Sequence, residues 1–277
     1  MPDLSRLGNS ARAENTGFDL STTRGQVVTA NSTADTVGSN VELVSAANND
    51  FTSNWCIVKI TSADNISQPT FLVNIEVGAA SSEVTLIPNL LHISSSDTDR
   101  DNHYTYEFPL HIPAGVRISA NCQSSIGSEV CYVSMVRMSA PMAGSAGFGK
   151  VLAIGADTTN TKGTNVARSS ANTFGSWVQI TSSLSNACKG FVVAAARQAS
   201  SWSNGRNTYK VGVGASSSEQ EVFGGDSYQT CSSEQAINAV SPFIPVRLSE
   251  GDRITIAAQS NISNTDQDFD YIIYIVL

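Results

Sequence analysis

The chain repeats itself. Val77-Gly78-Ala79-Ala80-Ser81-Ser82-Glu83 returns as Val213-Gly214-Ala215-Ser216-Ser217-Ser218-Glu219. Residues 109–124 match 245–260 without a gap, with Gly115/Gly251, Arg117/Arg253, Ile118/Ile254, Gln123/Gln259 and Ser124/Ser260 coinciding. Three shorter echoes come earlier: Gly25-x-Val27-Val28 with Gly149-x-Val151-Leu152, Thr36-x-Gly38-Ser39-Asn40-Val41 with Thr161-x-Gly163-Thr164-Asn165-Val166, and Val58-x-Ile60-Thr61-Ser62 with Val178-x-Ile180-Thr181-Ser182. Self-similarity in one chain order means one structural plan used twice. The expected copies are 25–138 and 149–277. Residues 139–148, with Pro141, Gly144 and Gly147, form a linker, and residues 1–24 form an arm with no counterpart ahead of the second copy.

Each copy is made of strands. Phe71, Val73, Ile75 and Val77 alternate with polar Asn74 and Glu76, and Tyr209, Val211 and Val213 keep the same phase in the second copy. Such a period of two marks a half-buried strand. Ile118, Ala120 and Cys122 alternate with Arg117, Ser119 and Asn121, as Ile254, Ile256 and Ala258 do with Arg253, Thr255 and Ala257. Ile112-Pro113-Ala114-Gly115 and Leu248-Ser249-Glu250-Gly251 supply the preceding turns. No helix-period stretch exceeds about two turns. Charged residues are only 14% of a chain rich in Ser, Thr and Asn, which suits many short strands with polar outer faces. The expected fold is all-β: two tandem jelly-roll sandwiches with an extended N-terminal arm. Residues 271–277 are apolar on both faces, so the last strand is either central between two covered faces or meets another subunit.

Candidate sites are sparse. A net charge of −8 without a Lys/Arg cluster argues against nucleic acid as a partner. The five cysteines, Cys56, Cys122, Cys131, Cys188 and Cys231, are odd in number and lack Cys-x-x-Cys spacing, so no disulfide scaffold or zinc site is indicated. Cys122 and Cys131 flank a turn and are expected as reduced core residues, a disulfide being the alternative. His92, His103 and His111 all fall in the first copy and are expected at the surface or in loops. Asp97-x-Asp99-x-Asp101 opens like a calcium loop, but Asn102 and Phe108 stand where an EF-hand needs Gly and Glu. Asp266-x-Asp268-x-Asp270 is likewise expected to be a solvated hairpin tip. No hydrolase elbow, phosphate loop, zincin or dinucleotide motif is present, so no catalytic, cofactor or metal residue is assigned and no enzyme activity is expected. The recurring Arg117 and Arg253 are expected to anchor a loop or Glu83 and Glu219, with Gln123 and Gln259 as the other repeated polar pair. Trp202, Arg206 and Tyr209 lie on or beside a polar loop where an aromatic would stack on a sugar, the alternative being an aromatic that caps the sandwich. No signal peptide or membrane-spanning run is read, so synthesis in the cytoplasm is expected.

Val-Gly-Ala-x-Ser-Ser-Glu, Ile87-Pro88-Asn89-Leu90, and above all Phe108-Pro109-Leu110-x-Ile112-Pro113-Ala114-Gly115-x-Arg117-Ile118 followed by Gln123-Ser124 resemble segments of tailed-bacteriophage virion structural proteins. The resemblance implies jelly-roll modules displayed on a virion without naming the component; the leading expectation is a capsid decoration, cement or head-spike protein on its surface. It implies the major capsid protein or other virion proteins as partners, and a homo-oligomer. The alternative is a tail or head adhesin that binds host glycan. In either reading the arm, with Leu4, Arg6, Leu7, Arg12, Phe18, Leu20 and Arg24, is expected to dock on the capsid or a sister subunit by adding a strand.

Overall fold

The structure is a computed structural model; it describes residues 12–19, 24–62, 67–95, 102–139, 149–196, 205–231, 234–237, 239–262 and 269–277. Every regular element among the described residues is a strand. The first half holds β1 (Ala13–Thr16), β2 (Phe18–Asp19), β3 (Arg24–Thr29), β4 (Val41–Val44), β5 (Trp55–Ser62), β6 (Thr70–Val77), β7 (Val84–Ile93), β8 (Asn102–Phe108), β9 (Ile118–Ser124) and β10 (Val130–Met138). Alternation decides the faces: in β5, Cys56, Val58, Ile60 and Ser62 point into the core while the residues between them are half-exposed. One sheet runs β3-β10-β5-β8 and the other β4-β9-β6-β7. Counted from β3, that is first-eighth-third-sixth against second-seventh-fourth-fifth, the double Greek key of a jelly roll.

The second half holds β11 (Val151–Ile154), β12 (Thr164–Val166), β13 (Val178–Thr181), β14 (Gly190–Ala196), β15 (Gly205–Val213), β16 (Gln220–Phe223), β17 (Ser227–Cys231), β18 (Glu234–Ile237), β19 (Ile254–Ser260) and β20 (Phe269–Val276). Here β11, β12 and β14 pair with β20, and β13-β19-β15 continues to β16, β17 and β18. The place of β8 falls to a segment bridged to β14 at Phe191–Ile244 and Ala194–Val240. The fold is thus two jelly-roll sandwiches, as expected from the alternation.

Strand register corrects how the copies correspond. The matches at 77–83 and 109–124 hold: Val77 and Val213 pair with Ile118 and Ile254. The three earlier echoes do not. Val178 pairs with Ile256 as Val41 pairs with Ala120, so β13 answers β4, and the Val58 strand is answered by β14. The turn at Asp35 (φ 57°), whose N–H bonds Ser124, is answered by Asn172 (φ 58°), bonded to Ser260. The arm is corrected as well. β1 pairs with Met135–Met138 of β10 as β11 pairs with Ile273–Val276 of β20, and Gly17 and Gly155 both follow at positive φ. Phe18–Asp19 then turns back onto Arg24–Gly25 as Asp157 turns back onto Lys162. Gly25 and Gly163 are required because a Cβ would strike the backbone of Val133 and of Tyr271. Residues 13–19 therefore have a counterpart, and the first repeat starts inside the arm. Short β-branched motifs recur in any strand-rich chain, which is why three echoes misled.

The halves share one continuous buried cluster. Along β20 the odd-numbered residues from Phe269 to Ile275 fill the second sandwich, where Tyr271 packs on Tyr209 and Phe269 on Tyr228. Ile272, Tyr274 and Val276 face the other way and are fully buried too. Tyr274 packs edge-on against Tyr106 and Phe108 of β8, and its hydroxyl accepts from the Leu91 N–H and donates to the Asn89 carbonyl, both at 2.8 Å. The outer face of the last strand is therefore covered by the first half of the same chain.

Candidate interaction surface

Arg117 and Arg253 clamp equivalent turns. Arg117 lies 2.6 Å from Glu83 and 2.7 Å from Glu42. Arg253 lies 2.8 Å from Glu219 and donates its Nε to Gln179 at 2.9 Å. The Gly78 and Gly214 N–H groups bond the carbonyls of these same arginines. Each arginine thus ties the hairpin after β6 or β15 to the strand β9 or β19. Backbone hydrogen bonding and Arg117 hold the Glu83 carboxyl below its ordinary range, and the Arg253 hydrogen bond does the same for Glu219. Gln123 and Gln259 part company: the Gln123 amide donates to the Thr158 carbonyl at 2.7 Å and the Thr161 hydroxyl at 2.8 Å, both in the second half, whereas Gln259 is half-buried and makes no such bond among the described residues.

Where the arm is described, it belongs to the first sandwich. Arg12 pairs with Asp50 at 2.8 Å and Glu14 at 3.1 Å. Arg12 and Arg137 each sit 4.5 Å from the Phe51 ring centre. The Arg137 side chain is fully buried, hydrogen-bonded to Asn49 and within 3.4 Å of Glu14; burial lowers its pKa. Arg24 lies over Tyr132 at 4.8 Å. Phe18 is in β2, paired with Gly25. Residues 13–16 thus add their strand to β10 of their own sheet. Leu4, Arg6, Leu7 and Leu20 lie outside the described residues. Beside β1 is a cleft of about 570 Å³ that Glu14, Glu42 and Asp50 make acidic.

The glycan trio separates. Tyr209 is 3% exposed, inside the second sandwich against Tyr271 and Phe223, so it cannot meet a sugar. Its inward strand phase excludes the surface role assigned to it. Arg206 is exposed, its N–H bonded to Asn261, and Trp202 lies outside the described residues. His92 also departs from the surface expectation. It is fully buried, 2.8 Å from the Ser62 hydroxyl and packed on Phe71 and Tyr104; burial, then His103, pushes its pKa down to about 3. His103 is exposed between Thr61 and Thr105, and His111 lies 3.3 Å from Asn54. Cys56, Cys122, Cys131 and Cys188 are free and buried, and burial raises Cys56 to about 12. Asp97, Asp99, Asp101, Asp266 and Asp268 lie outside the described residues; Asp270 accepts from Asn165 at 3.3 Å. No cluster of metal-ligating side chains occurs among the described residues, and no helix there is long and apolar enough to cross a membrane.

What the residues build is an inter-repeat contact: the outer face of β20 on the β7 edge, the Asp157–Lys162 turn on Gln123, the Tyr104 hydroxyl donating to the Ala195 carbonyl, and Trp55 edge-on to Phe243. The sequence alone does not signal it, because Tyr274 aligns with the unremarkable Val136. No family model and no curated protein matches the sequence. Among solved structures, the chain is similar to PNGF-II with 8% identity and a TM-score of 0.40, over 96% of this chain but 65% of the length of that one. It is similar to a peptide-N(4)-(N-acetyl-beta-D-glucosaminyl) asparagine amidase with 10% identity and a TM-score of 0.36, over 96% of both chains. It is also similar to the cowpea mosaic virus top component, naturally occurring empty particles, with 8% identity and a TM-score of 0.36, over 100% of this chain and 92% of that one.

Proposed function

We propose that the chain is a non-enzymatic structural protein of a virion surface, a decoration, cement or head-spike protein of a tailed phage. One observation carries the reading: Tyr274 and its neighbours fuse both sandwiches into one block. The buried polar groups support it. His92, Tyr106 and Tyr274 bond Ser62, the Leu91 carbonyl, and Leu91 with Asn89, so this chemistry is used to hold strands. The net charge of −8 suits an outer surface and not a DNA-lining one. The partners would be the major capsid protein or other virion proteins, met through shallow contacts repeated over many copies.

Imaging intact particles tests this. The expected result is many copies over the head and a weaker capsid in particles that lack the protein. A few copies at the tail tip, with glycan binding abolished by Trp202→Ala, would instead establish the adhesin. Absence from any particle would remove the virion reading.

A further inference from the structure

The contact between the repeats is directional, so it leaves one unused half at each end of the chain. In the second repeat, the outer face of β20 (Ile272, Tyr274, Val276) is covered by the first repeat. By register, the same positions in the first repeat are Ser134, Val136 and Met138 on β10. Val136 and Met138 are half-exposed there. So are Ile57 and Tyr132 on the same face, and Val27, which pairs with Tyr132, is 43% exposed. This largely apolar face, with Lys59 beside Ser134 and Arg24 over Tyr132, is the one its twin buries.

The complementary positions at the other end lie at the start of β17, where no β18 pairing falls among the described residues; β18 joins β17 only from Gln229 onward. The first repeat receives its neighbour on Asn89 and Leu91 of β7 and on Gln123. The corresponding positions in the second repeat are Gly225, Ser227 and Gln259. Asn89 and Gly225 share positive φ, and Gln123 and Gln259 pair with Leu72 and Thr208 in the same register. Ser227 is exposed with its N–H held by the Asp226 carboxylate at 2.8 Å, and the Gln259 amide has no partner among the described residues.

We propose that a second copy of this chain occupies these surfaces head to tail: the β10 face of one molecule seats on the Ser227–Gln259 edge of the next, repeating the intrachain contact. The occupant follows from the chain itself, since the same face in the second repeat is already covered by this fold. Val136 is smaller than Tyr274 and lacks its hydroxyl, so the contact is weaker than the internal one and depends on concentration. A head-to-tail contact closes into a ring or extends as a filament. The inference does not depend on the virion reading: purified protein tests the one and particle imaging the other.

Sedimentation velocity of the full chain over a concentration series gives the answer. Wild-type protein should grow beyond monomer mass as concentration rises. Val136→Glu, and separately Ser227→Arg with Gln259→Arg, should each weaken association at least about tenfold at unchanged melting temperature. Each variant keeps one intact surface, so mixing them should give a species of two chains and no larger. Should Val136→Glu lower the melting temperature, Met138→Lys replaces it on the same face. A monomer at every concentration, a variant that still self-associates, or a mixture that forms no pair would overturn the proposal.

Discussion

At the scale of single residues, the repeated arginines do unequal work. Arg117 faces two carboxylates, whereas Arg253 faces one carboxylate and a neutral amide. Both Arg117→Ala and Arg253→Ala are expected to lower the melting temperature by a few degrees, Arg117→Ala more; unchanged melting in both would remove the clamp. His92 supplies a pH dependence. Its pKa falls from 6.5 to about 3 on folding, so the unfolded chain binds the proton more readily. Its contribution is complete above about pH 6.5 and is lost as pH falls toward 3. At pH 5 the loss is about 2 kcal/mol. His103, lowered by burial and then by Lys59, titrates in the same window, so the measurement belongs in a His103→Gln background. Adding His92→Gln there should flatten the melting temperature between pH 7 and pH 5; an equally steep profile would refute the assignment. The Arg–Glu pairs were legible because both members recur in sequence. The burial of His92 was not, since a histidine in an alternating strand does not say which face is dry.

At the scale of elements, β1 and β20 carry the argument. β1 completes the edge of β10 and brings Glu14 to the buried Arg137. A variant lacking residues 1–11 keeps this strand. One lacking residues 1–17 strips the edge, removes Glu14 from Arg137 and should melt well below the first. Equal melting of the two would show that β1 adds nothing. Tyr274→Phe tests the seam more finely. It preserves the ring packing and leaves the Leu91 N–H and Asn89 carbonyl without their partner, at a cost of about 1–3 kcal/mol. Thermal unfolding that does not change would mean that water replaces the hydroxyl. The two-sided apolarity of 271–277 announced a doubly covered strand, but which neighbour covered it depended on how the two sandwiches pack.

At the scale of the molecule, the continuous core predicts a single unfolding event. Calorimetry should show one transition with matching calorimetric and van't Hoff enthalpies; two resolved transitions would show that the halves are energetically independent. The strands, the jelly-roll class and the existence of two copies were all readable beforehand, because side-chain alternation and turn residues act locally. The placement of the copies was only partly readable. Val77–Glu83 and 109–124 carry Gly, Pro and ionic residues that few backbone geometries accept, so their matches held. The shorter echoes rest mostly on β-branched residues that suit many strands, so theirs did not.

By itself, then, the sequence determined what each segment is: strand or turn, inward or outward phase, one plan repeated. Only the tertiary structure decided what each outward face meets. Val136 and Tyr274 occupy the same place in the same fold, yet one is half-exposed and the other lies buried against Tyr106 and Leu91. The physical reason is that alternation reflects neighbours along and across a sheet, whereas the burial of an outer face depends on contacts between residues as many as 185 positions apart, which no local pattern encodes.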